Sequence, residues 1–154
     1  MAIDRIDWHI GGDFPEHLSD EAGGTHIGLY LTWIIENDLY STELESESKA
    51  EIIAVKNREI DGRQFLIEQC DTKFWTRDLS EIGNRFTEHY YHDAYIEDYG
   101  NLLGTKFDTL YEVENTWENY DILAKTIDRR YANWRTSDEK KTIEKGKKFW
   151  EFWK

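Results

Sequence analysis

Between Leu110 and Trp134 large apolar side chains recur every three or four residues: Leu110, Val113, Trp117, Tyr120, Ala124, Ile127, Tyr131 and Trp134. On a helix these positions form one stripe, which must be covered by other parts of the chain. No other stretch constrains the fold as strongly. The spacing predicts a helix over 110–134 lying across several partners, with the small Ala124 at the middle of its buried face. This pattern is structural and carries no catalytic signature.

The partners of that stripe are read from the rest of the chain. A helix is expected over about 21–39, where Ile27, Tyr30, Leu31, Ile34 and Ile35 are apolar and the small Gly28 and Thr32 would let a neighbouring helix approach closely. Thr42 and Glu45 have capping-box spacing. Glu43, Glu45 and Glu47 favour the start of a helix over 43–59, and Lys56 and Arg58 favour its end. Asp61-Gly62 ends it. A shorter helix with Phe65, Leu66 and Cys70 follows to 69–71, and Phe74-Trp75 reads as an apolar plug in a loop. Thr76 is placed to cap a helix with the stripe Leu79, Ile82, Phe86, Tyr90 and Asp93; Gly100 and Gly104 then bracket a short turn or loop.

Residues 3–10 alternate, with Ile6, Trp8 and Ile10 on one side and Asp7 and His9 on the other, the period of an extended segment with no evident partner strand. Together these signals predict an all-α single-domain bundle of about five to six helices with an extended N-terminal arm. Thr136-Ser137-Asp138 marks a boundary between a helical domain over 1–135 and a basic aromatic tail over 136–154, read as a last helix or a mobile tail.

Composition bounds the function classes. At 154 residues the chain suits one domain. Seven Trp, nine Tyr and seven Phe make rings the main core material, each able to remove roughly 150–250 Å² from water. The formal charge is −13, which excludes nucleic acid and anionic membranes as partners, because both need Lys and Arg to meet phosphate. Residues 136–154 hold six Lys against four acids, so the acidic character belongs to the body. A lone Cys70 excludes an internal disulfide and suits a reducing compartment as a buried structural thiol. With no signal-peptide core and no apolar run of membrane length, a cytoplasmic location is expected. Phosphate-loop, dinucleotide and nucleophile-elbow patterns are missing, and no cofactor is expected.

Three clusters carry candidate chemistry. In His89-Tyr90-Tyr91-His92-Asp93-Ala94-Tyr95-Ile96-Glu97-Asp98-Tyr99, helical spacing lets His89 and Asp93 converge on a metal. The favoured readings are an acidic face over partly buried tyrosines, and a partner surface of Asp93, Tyr95, Glu97 and Asp98. Around Gly11-Gly12, the residues Asp7, His9, Asp13, His17 and His26 could build a hydrolase site; the bland alternative is a glycine turn tied down by its polar residues. Glu114 and Glu118 stand one helical turn apart on the face away from the core stripe, which reads as an acidic face suited to a cationic partner. The basic islands Asp128-Arg129-Arg130 and Lys140-Lys141 are read as internal ion-pair partners.

The segments Asp7-Trp8-His9-Ile10-Gly11-Gly12-Asp13-Phe14-Pro15, Gly24-Thr25-His26-Ile27-Gly28-Leu29-Tyr30-Leu31-Thr32-Trp33, Glu68-Gln69-Cys70-Asp71-Thr72-Lys73-Phe74-Trp75 and Trp117-Glu118-Asn119-Tyr120-Asp121 resemble a family of small acidic bacterial proteins of unknown function. The resemblance covers about residues 5–135, leaves the tail outside, and transfers no catalytic residue. Proteins of this type look similar to the immunity proteins of bacterial toxin systems. A nuclease toxin needs a cationic groove for phosphate, and an inhibitor presenting carboxylates and aromatics is steered into it. The expectation is a non-catalytic acidic protein that neutralises a cognate toxin with a basic surface through Asp93, Tyr95, Glu97, Asp98, Glu114 and Glu118. The alternatives are a metal-assisted hydrolase using Asp7, His9, Asp13, His26 or His89, and a housekeeping adaptor.

Overall fold

Helix α1 (Thr25–Glu36) is the buried axis of the protein: every residue from Thr25 to Ile35 is shielded from solvent. The computed structural model describes residues 1–153. Around α1 pack α2 (Thr42–Lys56), α3 (Gly62–Gln69), α4 (Glu81–Tyr90), the short α5 (Ile96–Tyr99) and the long α6 (Trp117–Trp153). The architecture is the expected all-α one, with a two-stranded antiparallel sheet of β1 (Ala2–Arg5) and β2 (Lys73–Trp75) added at one side. The N-terminal arm therefore has a partner strand: Phe74-Trp75, expected as a loop plug, lies in β2 with Phe74 fully buried.

The closest packing joins α1 to α3. Gly28 faces the backbone of Arg63, where an added Cβ would stand 2.6 Å from the Arg63 N and Cα atoms. At Gly62 the same atom would run into the Gly28 carbonyl and the Thr32 hydroxyl. That hydroxyl donates to the Gly28 carbonyl oxygen (2.8 Å) and accepts from the Gly62 N–H (3.1 Å), so the small residues and the hydrogen bond act as one lock. Helices α2, α3 and α4 begin with side-chain caps from Ser41, Asp61 and Ser80. Ser41 and Ser80 thus take the roles expected of Thr42 and Thr76. Residues 76–78 form a separate 3₁₀ turn before α4.

Two findings depart from helical periodicity. First, α4 runs on through a π turn at Tyr91–Tyr95 into α5, and through a second at Gly100–Gly104. A π turn inserts one residue into the helical repeat. The buried stripe after Tyr90 therefore passes to Tyr91, Tyr95 and Tyr99, and Asp93 is turned out to solvent. Second, the stripe from 110 to 134 is not one helix. Leu110–Glu112 is a 3₁₀ turn, Val113 is extended, and α6 starts only at Trp117, where Thr116 Oγ1 accepts from the Asn119 N–H at 3.1 Å. Tyr120, Leu123 and Ile127 still reach the core, and α6 then continues without a break through Thr136-Ser137-Asp138. Side chains from Glu139 to Trp153 are exposed; Lys154, the last residue of the tail, lies outside the described residues.

Rings dominate the interior, as composition implies. Tyr30 lies 4.9 Å from Tyr91 and 5.0 Å from Tyr95 between ring centres, and Phe86 stacks on Tyr90 at 5.2 Å. Several polar tips find partners, Tyr30 with Thr87, Tyr95 with the His26 carbonyl, and Tyr120 with Glu36, while the buried Tyr99 hydroxyl has none among the described residues.

Candidate functional site

Strand β1 would ordinarily alternate inward and outward side chains. Its pairing slips between Ala2 and Asp4, which face the adjacent residues Trp75 and Phe74, so that the consecutive residues Ile3 and Asp4 are both buried. The slip turns a carboxylate into the core. There it meets His9, from the turn after Ile6–Trp8, His26, at the start of α1, and Tyr91, which the π turn directs inward.

Every lone-pair direction of Asp4 is used. Oδ1 accepts from the Arg5 N–H (2.8 Å) and His9 Nε2 (2.6 Å), and Oδ2 accepts from His26 Nε2 (3.1 Å) and the Tyr91 hydroxyl (2.7 Å). Burial alone would raise the Asp4 pKa, but the hydrogen bonds from His26, His9 and Tyr91 outweigh it and hold the carboxyl far below the usual carboxylate range. Burial pushes His26 down, against the opposing pull of Asp4, so its imidazole is kept neutral. It also pushes the Tyr91 hydroxyl up, and the neighbouring Asp4 adds to this. His9 carries the network to the outside: its Nδ1 meets the Tyr111 hydroxyl at 2.8 Å. With Nε2–H donated to Asp4, the other ring nitrogen of His9 is directed at the Tyr111 hydroxyl.

These groups line a cavity of about 440 Å³ whose other walls include Trp8, His92, Ile96 and Leu110. The side chains of Asp4 and His26 are 9% and 8% exposed against 23% for His9, so His9 is the member that faces the opening. A polar, tautomer-fixed imidazole at the mouth of an apolar cavity can bind a ligand, accept a proton or hold a metal.

Of the residues singled out around Gly11-Gly12, the structure brings together His9 and His26 only. Asp7 is exposed and paired with Arg5 at 2.6 Å, Asp13 lies exposed in the turn, and His17 is exposed beside Glu112. His89 is exposed near the Trp134 ring and joins no ligand cluster. Among the described residues, the one group of three His, Cys, Asp or Glu ligand atoms lying within 4.8 Å of one another is Asp4, His9 and His26. Asp4 was missed by sequence reasoning. The available signal was its parity with Ile6, Trp8 and Ile10, which puts a carboxylate on the otherwise apolar side of the arm.

The expected partner surface divides in two. Tyr95 is fully buried and Asp98 is 9% exposed, bonded to the Tyr90 hydroxyl and to the Arg130 guanidinium at 2.9 and 2.8 Å, so neither meets a partner. The π turn is the reason, since it rotates both side chains inward. Asp93 and Glu97 remain outside, as do Glu114 and Glu118. Glu114 precedes α6 and so is not one helical turn from Glu118, yet both line one groove of about 430 Å³ with Leu102, Phe107, Ile122 and Lys106. Leu102 and Ile122 are 41% and 42% exposed there.

A family model described as a domain of unknown function (DUF7832) matches residues 2–113. No curated protein matches the chain, and no solved structure does.

Proposed function

The chain belongs to the DUF7832 family, a domain of unknown function, and from its surface we propose a non-catalytic acidic binding protein of the immunity type, one that neutralises a toxin with a basic surface. The observation that carries this reading is the groove between the second π turn and α6. It is lined by the apolar Leu102, Phe107 and Ile122, by the polar Thr105, Thr116 and Asn119, and by two carboxylates, Glu114 and Glu118, against one cation, Lys106. Exposed apolar side chains beside polar and charged ones are a mixture that protein interfaces use. Charge supports it further. Arg5, Lys56, Arg58, Arg63, Lys73, Arg85, Arg130 and Arg135 pair with carboxylates of the same chain. These pairs occupy most of the cations in residues 1–135, so the remaining carboxylates present a net negative field that accelerates a cationic partner.

The partner is a cytoplasm-acting toxin, plausible as a nuclease because such an enzyme must carry a cationic groove. Tagged protein is expected to recover from the native host a single tight partner whose expression is lethal unless this chain is co-produced. Glu114→Lys with Glu118→Lys should weaken that complex at least about tenfold, about 1.4 kcal/mol, while helical content stays unchanged. A harmless cellular partner would instead establish a housekeeping adaptor.

A further inference from the structure

We propose that Asp4, His9 and His26 form a binding site for a divalent first-row transition metal, zinc being the best match, with one coordination position open to the cavity. This goes beyond the binding role above and does not depend on it. Two imidazole nitrogens and one carboxylate are a donor set that borderline divalent cations favour over calcium or magnesium. Three protein ligands leave a fourth position that a water or a ligand from the cavity would fill.

The convergence is already built. His9 Nε2 lies 2.6 Å from one Asp4 oxygen and His26 Nε2 3.1 Å from the other. Two ligands each 2.0–2.1 Å from a tetrahedral zinc stand ~3.3 Å apart, so the two carboxylate–imidazole contacts open slightly to admit the ion, and the three ligand atoms already lie within 4.8 Å of one another. The three ligands come from three different parts of the chain: β1, the turn that follows it, and α1. Two of the three are oriented by a further hydrogen bond. On metal binding the Nε2 proton of each imidazole is released or passes to its Nδ1, so that His9 Nδ1–H donates to the Tyr111 hydroxyl across 2.8 Å. Tyr91 holds Asp4 Oδ2 at 2.7 Å, and His26 stands in the first turn of α1. Such outer partners set the ring orientation of metal-bound imidazoles. Among the described residues no Lys or Arg pairs with Asp4, whose partners of that kind are the two imidazoles. A dication neutralises this buried carboxylate, and a water or ligand oxygen from the cavity completes its shell.

The test is titration of the chelator-treated full chain with Zn²⁺ by calorimetry and with Co²⁺ by visible absorption. The expected result is one equivalent bound with a dissociation constant in the micromolar range or tighter, intense tetrahedral Co²⁺ bands, and a higher Tm with metal. His9→Gln, at the cavity mouth and least needed for folding, should abolish the Co²⁺ bands. Tyr111→Phe, which removes only the outer contact, should weaken binding about 10–100-fold. Asp7→Asn and Asp13→Asn should change nothing. Folded wild-type protein that takes up no metal would overturn the proposal and leave the cluster as a hydrogen-bonded core. So would binding that His9→Gln leaves intact, since the ion would then sit on the acidic surface.

Discussion

Asp4 and Asp98 show how a buried carboxylate is kept ionised in this protein by two different means. Asp4 relies on imidazole, hydroxyl and backbone donors. Asp98 relies on the Tyr90 hydroxyl and the fork of Arg130. At Asp98 burial acts to raise the pKa, and Arg130 with Tyr90 overcomes it, so the folded value lies below the ordinary one. A depressed carboxylate stabilises the fold at pH above its unfolded value, and that contribution is lost as pH falls below about 4. Asp98→Asn should therefore cost about 1–2 kcal/mol near neutrality, measured by urea unfolding, and should flatten the loss of stability as pH falls below about 4. His9 and His26 were legible in the sequence because imidazoles gathered near a glycine turn stand out. Asp4 carried only the weak signal of its parity with Ile6, and the partners that make it a site, His26 and Tyr91, lie 22 and 87 residues away.

Among the elements, those set by local chemistry were the readable ones. Acids at its start and Lys56 at its end fit α2, and Gly28 with Thr32 announced the close approach that α3 makes. Gly62→Ala should destabilise the protein by about 3 kcal/mol or more, because the new methyl group meets backbone and a hydrogen-bonded hydroxyl that have no room to move. A thermal or urea midpoint measures it; near-wild-type stability would mean that α1 and α3 separate at low cost. The elements that periodicity misread share one cause. A repeat of three and four assumes an unbroken helix, whereas the π turn at Tyr91–Tyr95 and the extended Val113 each shift the phase. Residues on the far side of such a shift, Tyr95 and Asp98 above all, change faces.

For the molecule as a whole, the contrast is between an aromatic interior and a helix that outruns it. Beyond Asp138, which pairs with Arg85, α6 exposes Ile143, Phe149, Trp150, Phe152 and Trp153. The family match covers residues 2–113 and does not reach this segment. No described helix is long and apolar enough to cross a membrane. A chain ending at Asp138 should lose helical ellipticity in proportion to the residues removed, yet keep its Tm within about 1–2 °C, since exposed side chains contribute little; a larger drop would show that α6 is held by its outer half. The aromatic composition predicted the core, but it could not assign these four rings to the outside, because composition does not say which rings have a partner surface.

Asp4 and Tyr91 hydrogen-bond across 87 residues of sequence. On the ribosome the carboxylate is made 87 residues before the hydroxyl that completes its surroundings, at roughly 5–20 residues per second. The N-terminal arm must therefore spend several seconds without its native setting. It docks only when β2 and the helix bearing Tyr91 have been synthesised, so this segment waits for partners made well after it.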